Sequence, residues 1–245
     1  MQTREPVDML PSAKLVTAKL VDSIRRKGFL GTLKSCAAEV EEIRFDRKFG
    51  IQTLETMSDR QHVLTVTNQP GDNLGYQPTK IRTLRKILGD LRIAYEDFIF
   101  LDLGSGKGRT LLIASEFPFK RIIGVEVSPE LHCIAETNIR AYRSATQECR
   151  AIESHCDDAV AYELPAENTL IFLFNPFKAP LISKLLLNLS ESLRQNPRRI
   201  YLVYYNPVCH DLIADSEMME VVRVTDLYTI YRNKDAGSDR APSWS

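Results

Sequence analysis

The chain carries no surplus of either charge: 32 lysines and arginines face 32 aspartates and glutamates. Proteins that hold phosphate backbones normally keep a basic excess, so this balance speaks against nucleic acid as the partner. Long apolar runs are missing too; the longest reach about six residues, where a membrane helix needs roughly 18. With only 11 glycines and 12 prolines in 245 residues, a fibrous or low-complexity chain is excluded. Cysteine is scarce and unpatterned. Cys36, Cys133, Cys149, Cys156 and Cys209 are odd in number and widely spaced, form no C-x-x-C pair, and stand at no metal-ligand spacing from the four histidines. A disulfide framework and a structural zinc are therefore not expected, and free thiols point to a reducing, cytoplasmic setting. The first twelve residues hold Arg4, Glu5 and Asp8 and no apolar stretch of signal-peptide length.

What is present is a 44% apolar composition, enough to bury one sizeable core. Residues 12–45 have helical periodicity, with Leu15, Leu20 and Ile24 interleaved with lysines and arginines, and Gly28 and Gly31 predict a break. Beyond the turn-forming stretch Asn68–Asn73, Thr79 is positioned to N-cap a basic helix whose apolar face is Ile81, Leu84, Leu88 and Leu91. From there the pattern alternates. Apolar runs at Phe98–Leu103, Ile122–Val125, Leu170–Phe174 and Ile200–Tyr205 read as strands, with helical stretches Gly108–Glu116, Pro129–Tyr142 and Ala179–Leu193 between them. Continuous apolar strands alternating with helices predict an α/β fold with a mostly parallel sheet covered on both faces. Val221–Val224 and Tyr228–Tyr231 are too close together for a crossover helix, which predicts an antiparallel C-terminal hairpin. The expected organisation is a helical extension over 1–75, a ligand-binding domain over 76–232, and a disordered polar tail over 233–245.

The chemistry-bearing segment is Asp102-Leu103-Gly104-Ser105-Gly106-Lys107-Gly108-Arg109, a glycine-rich turn between an expected strand and helix. A dinucleotide fingerprint would place its third glycine where Arg109 stands. A P-loop would follow Lys107 with serine or threonine, and Gly108 is there instead. Asp102 followed by Gly104-x-Gly106-x-Gly108 resembles the first motif of class I S-adenosylmethionine-dependent methyltransferases. That resemblance implies a Rossmann-like, three-layer, seven-stranded sheet and S-adenosyl-L-methionine as cofactor. It further implies that Asp102, Gly104, Ser105, Gly106 and Gly108 shape the methionine end of the cofactor site. Glu126, ending the next strand, would hold the ribose hydroxyls, and Asp157 or Asp158 the adenine amine. Lys107 and Arg109 are read as solvent-facing or packed on the loop, Cys156 as a small filler, and His132 and His155 as bystanders.

Asn175-Pro176-Phe177 resembles a shortened form of the Asn/Asp-Pro-Pro-Tyr/Phe motif of amino-methylating members. An asparagine oxygen and the next carbonyl can hold the N–H groups of an amine, and an aromatic face suits a developing cation. Tyr76-Gln77-Pro78-Thr79 resembles the Tyr-x-Pro-Thr of some seven-strand protein-lysine methyltransferases and bacterial relatives, where it closes over the cofactor; a plain turn with a capping threonine is the competing account. Asp46–Thr53 looks like a segment of the same bacterial relatives and suggests no substrate. The resemblance implies transfer of a methyl group to an amine, of protein lysine or otherwise, without a metal. A catalytically silent cofactor-binding subunit, or an O- or C-methyltransferase of a small molecule, are the alternatives. Arg4, Lys14, Lys19, Arg25, Arg26, Lys27 and Lys34 against Glu5, Asp8 and Asp22 make residues 1–34 locally basic, which suits either a substrate-recognition rim or a solvated structural cap.

Overall fold

The computed structural model describes residues 37–54, 76–174 and 178–234. The chain divides into two compact units, Met1–Phe45 and Asp46–Ser245. In the first, residues 37–45 are helical. The second opens on a helical turn over 46–49 that ends at Gly50, whose φ of +63° is the left-handed conformation glycine adopts at helix ends.

Seven strands follow: β1 (Ile99–Leu103), β2 (Arg121–Glu126), β3 (Ile152–Cys156), β4 (Thr169–Phe174), β5 (Ile200–Tyr205), β6 (Met219–Val224) and β7 (Tyr228–Asn233). Their spatial order is β3-β2-β1-β4-β5-β7-β6. β1 to β5 pair in parallel, and β7 enters antiparallel between β5 and β6. This is the mixed, mostly parallel seven-stranded sheet with a C-terminal antiparallel hairpin that the sequence predicts. The strands that are apolar throughout, β1, β4 and β5, lie in the centre and are buried. β3, with the sequence Ile-Glu-Ser-His-Cys, is an edge strand and only partly covered.

The connecting helices are α1 (Ile81–Asp90), α2 (Arg109–Ala114), α3 (Pro129–Ala141), α4 (Ala179–Gln195) and α5 (His210–Ala214). Right-handed crossovers put α2 and α3 on one face and α4 on the other, because the strand order runs outward in opposite directions from β1 and β4. The core follows this division. Ile99, Leu101 and Leu103 point to the face where Ile182, Leu185 and Leu189 of α4 are buried. Phe100 stacks on Phe172 and meets Phe119 at the other face.

Two expectations need correction. Lys80, not Thr79, is the N-cap of α1, and no side chain caps that helix; Thr79 is buried instead. The sheet also runs through Asn233, whose side-chain oxygen accepts the Ile200 N–H at 2.8 Å while its amide donates to the Arg198 carbonyl at 2.9 Å. The remaining tail, the helices expected before residue 36, and Asn175, Pro176 and Phe177 lie outside the described residues.

Candidate functional site

β1 ends at Leu103 and α2 begins at Arg109, so five residues must turn the chain from strand to helix. Gly104, Gly106 and Gly108 make that possible with φ of +90°, +54° and +78°. The N–H groups of Gly104 and Ser105 both donate to the Val125 carbonyl, at 2.8 and 3.0 Å, which hangs the loop on β2. Close approach is required as well. A Cβ on Gly108 would sit 3.1 Å from the Ala135 Cβ of α3, and one on Gly106 would lie 2.5 Å from Tyr76 Cδ2.

Glu126 closes β2 and is buried. One carboxylate oxygen accepts the Gly106 N–H at 2.8 Å and the other the Ser128 N–H at 2.8 Å. Two backbone donors thus fix the carboxylate plane between the glycine loop and the start of α3. Asp102, beneath the same loop, accepts a hydrogen bond from the Thr110 hydroxyl. Burial pushes its carboxyl up to about 7; the Thr110 bond opposes this and the negative Glu126 adds to it. Asp102 and Glu126 are therefore two carboxyl groups within electrostatic reach of each other.

The other expected positions are spread around this pair. The Ser105 hydroxyl points into the sheet and has no hydrogen-bond partner among the described residues, standing 2.7 Å from where a Gly124 Cβ would be. Asp157 is exposed at the end of β3; its N–H donates to the Glu126 carbonyl at 3.2 Å and its Oδ1 accepts the Asp158 N–H at 2.7 Å. Asp158 spends an oxygen on the Val160 N–H, at 3.1 Å, as a turn cap. Cys156 is exposed and so fills no core, and the charges of Glu126, Cys133 and Asp157 join burial in raising its thiol. His132 meets the Ser154 hydroxyl at 2.9 Å, and His155 lies between Glu153 and the Tyr162 hydroxyl.

Lys107 and Arg109 are not solvent-facing. Each is about 2% exposed. Lys107 Nζ lies 5.4 Å from the centre of the Tyr76 ring. Arg109 reaches Asp46 at 3.2 Å and donates its Nε–H to the Thr53 hydroxyl at 2.6 Å. The Asp46–Thr53 segment therefore belongs to the loop's surroundings, a placement that its mixed composition does not signal.

At the carboxyl end of the central strands, Phe174 stands opposite Tyr205 in register, with ring centroids 4.6 Å apart. Asn206 follows with φ of 53°, the single left-handed non-glycine among the described residues. The pattern Phe174-Asn175-Pro176 recurs next door as Tyr205-Asn206-Pro207. The second aromatic-Asn-Pro is a signal that the sequence alone carries. Among the described residues no group of three or more His, Cys, Asp or Glu side chains is arranged to hold a metal ion, and no helix is long and apolar enough to cross a membrane.

Several solved structures are similar to this chain. The yhhF protein from Escherichia coli is 17% identical over 62% of this chain and 86% of its own, with a TM-score of 0.49. An RNA methyltransferase from Salinibacter ruber, in complex with S-adenosyl-L-homocysteine, is 19% identical over 68% of this chain and 97% of its own, with a TM-score of 0.43. The ribosomal protein L11 methylase from Lactobacillus delbrueckii subsp. bulgaricus is 15% identical over 64% of this chain and 80% of its own, with a TM-score of 0.45. No curated protein matches. The family model of the histone methylation protein DOT1 matches residues 56–198, more than half of the chain and the whole of the glycine loop. The chain therefore belongs to the DOT1 histone methylation protein family, and it is a class I methyltransferase that uses S-adenosylmethionine.

Proposed function

We propose that the chain methylates an amine nitrogen, of a protein lysine or another amino group, and that Asn175-Pro176-Phe177 receives it. One observation carries this reading: the tripeptide directly follows β4, which pairs with β1 so that Phe172 stands opposite Asp102. The strands that the glycine loop and the tripeptide follow in sequence, β1 and β4, are adjacent and parallel, and the strand order reverses between them, where open α/β sheets take their ligands. The family's description as histone methylation proteins supports a protein acceptor.

The residues present suit the cofactor. Glu126 is a buried carboxylate with its plane fixed, the group that accepts two hydroxyls of a ribose. Asp102 and the loop of Gly104, Ser105, Gly106 and Gly108 would hold the methionine end, Asp157 the adenine amine, with Tyr76 and Thr79 covering the site. S-adenosylmethionine supplies an electrophilic methyl on a sulfonium. The chain's own work would be positioning: the Asn175 oxygen and the next carbonyl would accept the N–H groups of a neutral amine and so aim its lone pair, and Phe177 would offer an aromatic face to the substrate or the developing cation.

The test is incubation with radiolabelled S-adenosylmethionine and fractionated lysate. The expected result is label on an amine, with Asn175→Ala lowering turnover by 10² or more and leaving S-adenosylhomocysteine affinity within about twofold. Label on oxygen or carbon would overturn the acceptor class. Cofactor binding without any transfer would favour the silent-subunit alternative.

A further inference from the structure

We propose that Asp46, Thr53 and Arg109 are positioning residues that hold Tyr76 against the glycine loop and thereby set cofactor affinity. The Asp46 carboxylate accepts several hydrogen bonds. Asp46 Oδ2 accepts the N–H of Thr53 at 2.6 Å and of Leu54 at 3.0 Å. Its Oδ1 accepts the Thr53 hydroxyl at 2.6 Å and Arg109 Nη2 at 3.2 Å. Arg109 Nε closes the ring by donating to the Thr53 hydroxyl oxygen at 2.6 Å. All three residues are buried. A salt bridge inside a protein is weak evidence for stability, because desolvation offsets its attraction, whereas breaking it is costly; such a group is suited to fixing one conformation.

The conformation it fixes ends in Tyr76. The Thr53 carbonyl accepts the Tyr76 hydroxyl at 2.7 Å, and the ring then lies on Gly106, the glycine whose N–H orients Glu126. The same segment is anchored a second time. Asn138 of α3 accepts the Gln52 N–H at 2.9 Å and donates to the Gln52 carbonyl at 3.2 Å and the Lys107 carbonyl at 2.9 Å. One strap of chain is thus pinned by the residue after the loop and by the helix beneath it, and it presents one carbonyl to one tyrosine. Arg109 stands where a dinucleotide fold has its third glycine, and its side chain serves the strap. This rests on the cofactor identity and is independent of which atom accepts the methyl.

The experiment is a double-mutant cycle in S-adenosylhomocysteine affinity on the full chain, pairing Thr53→Val with Tyr76→Phe. Each single change is expected to weaken binding by about tenfold, and the double variant to be no weaker than the worse single, because both act through one contact. Thr53→Ser, which keeps the hydroxyl, is expected to recover most of the affinity lost in Thr53→Val. Multiplying losses in the double variant, or a fall in melting temperature with unchanged affinity, would reduce the strap to a structural prop. Should Thr53→Val fail to fold, Arg109→Lys paired with Tyr76→Phe reads the same coupling. A chain that binds no S-adenosylhomocysteine even as wild type would overturn the cofactor assignment instead.

Discussion

The Thr110 hydroxyl donates to the Asp102 carboxylate, joining the first turn of α2 to the end of β1 beneath the glycine loop. Burial outweighs that bond and holds the Asp102 carboxyl at about 7, above its ordinary 3.8. A group that binds its proton more tightly when folded contributes stability that is complete below its unfolded pKa and is lost as pH rises through the folded one. Wild type should therefore lose stability relative to Asp102→Asn between pH 4 and 7, at the order of 1 kcal/mol per pH unit at most. Urea denaturation of both proteins across that range checks this; a constant difference would mean that Asp102 is ionised throughout.

Gly106→Ala should abolish the cofactor fit. Its Cβ would lie 2.5 Å from Tyr76 Cδ2, and φ of +54° strains any side chain. S-adenosylhomocysteine affinity should fall by tenfold or more in calorimetry. Adding Tyr76→Ala should relieve the clash and leave the backbone strain, about 1 kcal/mol for a residue held in the left-handed region.

Gly124→Ala tests packing apart from ligand binding. A methyl there would meet Leu111 Cδ1 at 2.6 Å and Ser105 Oγ at 2.7 Å. Overpacking of this kind costs about 1–3 kcal/mol, so the urea midpoint should drop with an unchanged m-value. Unchanged stability would show that the Ser105 hydroxyl swings away freely.

Asn206 adopts φ of 53° at the end of β5, where its N–H donates to the Leu227 carbonyl at 2.7 Å. Asn206→Gly should be near neutral in stability, while Asn206→Val should cost about 1–2 kcal/mol. Equal effects from both variants would mean that the asparagine side chain matters more than its backbone.

The alternation of apolar runs and helices was enough to read β1, β2, β4, β5 and the terminal hairpin, because buried parallel strands must be apolar on both faces. β3 is harder to see: Ile152-Glu153-Ser154-His155-Cys156 is half polar because it lies at the sheet edge. Glu126, which ends β2, was singled out by the family resemblance, whereas the glycine loop was legible in the sequence, since only certain residues fit a strand-to-helix turn against a ligand. Arg109 and Lys107 were not. Charge on a side chain reads as exposure until a buried counter-charge is known, and Asp46 lies 63 residues away from Arg109. Likewise, Thr79 looked like a helix cap by type, whereas the helix starts after Lys80 and Thr79 is buried.

The strap also bears on how separable the cofactor loop is from the rest of the chain. Every strand among the described residues and the whole glycine turn lie after residue 76, so a fragment beginning there would keep all seven of those strands. It would nevertheless leave Arg109 inside the protein without the carboxylate of Asp46, and Tyr76 without the carbonyl of Thr53. The loop motif is accordingly not a portable module. Grafted onto another sheet, or cut from its own N-terminal neighbour, it would carry its glycines along and leave behind the residues that hold its tyrosine in place.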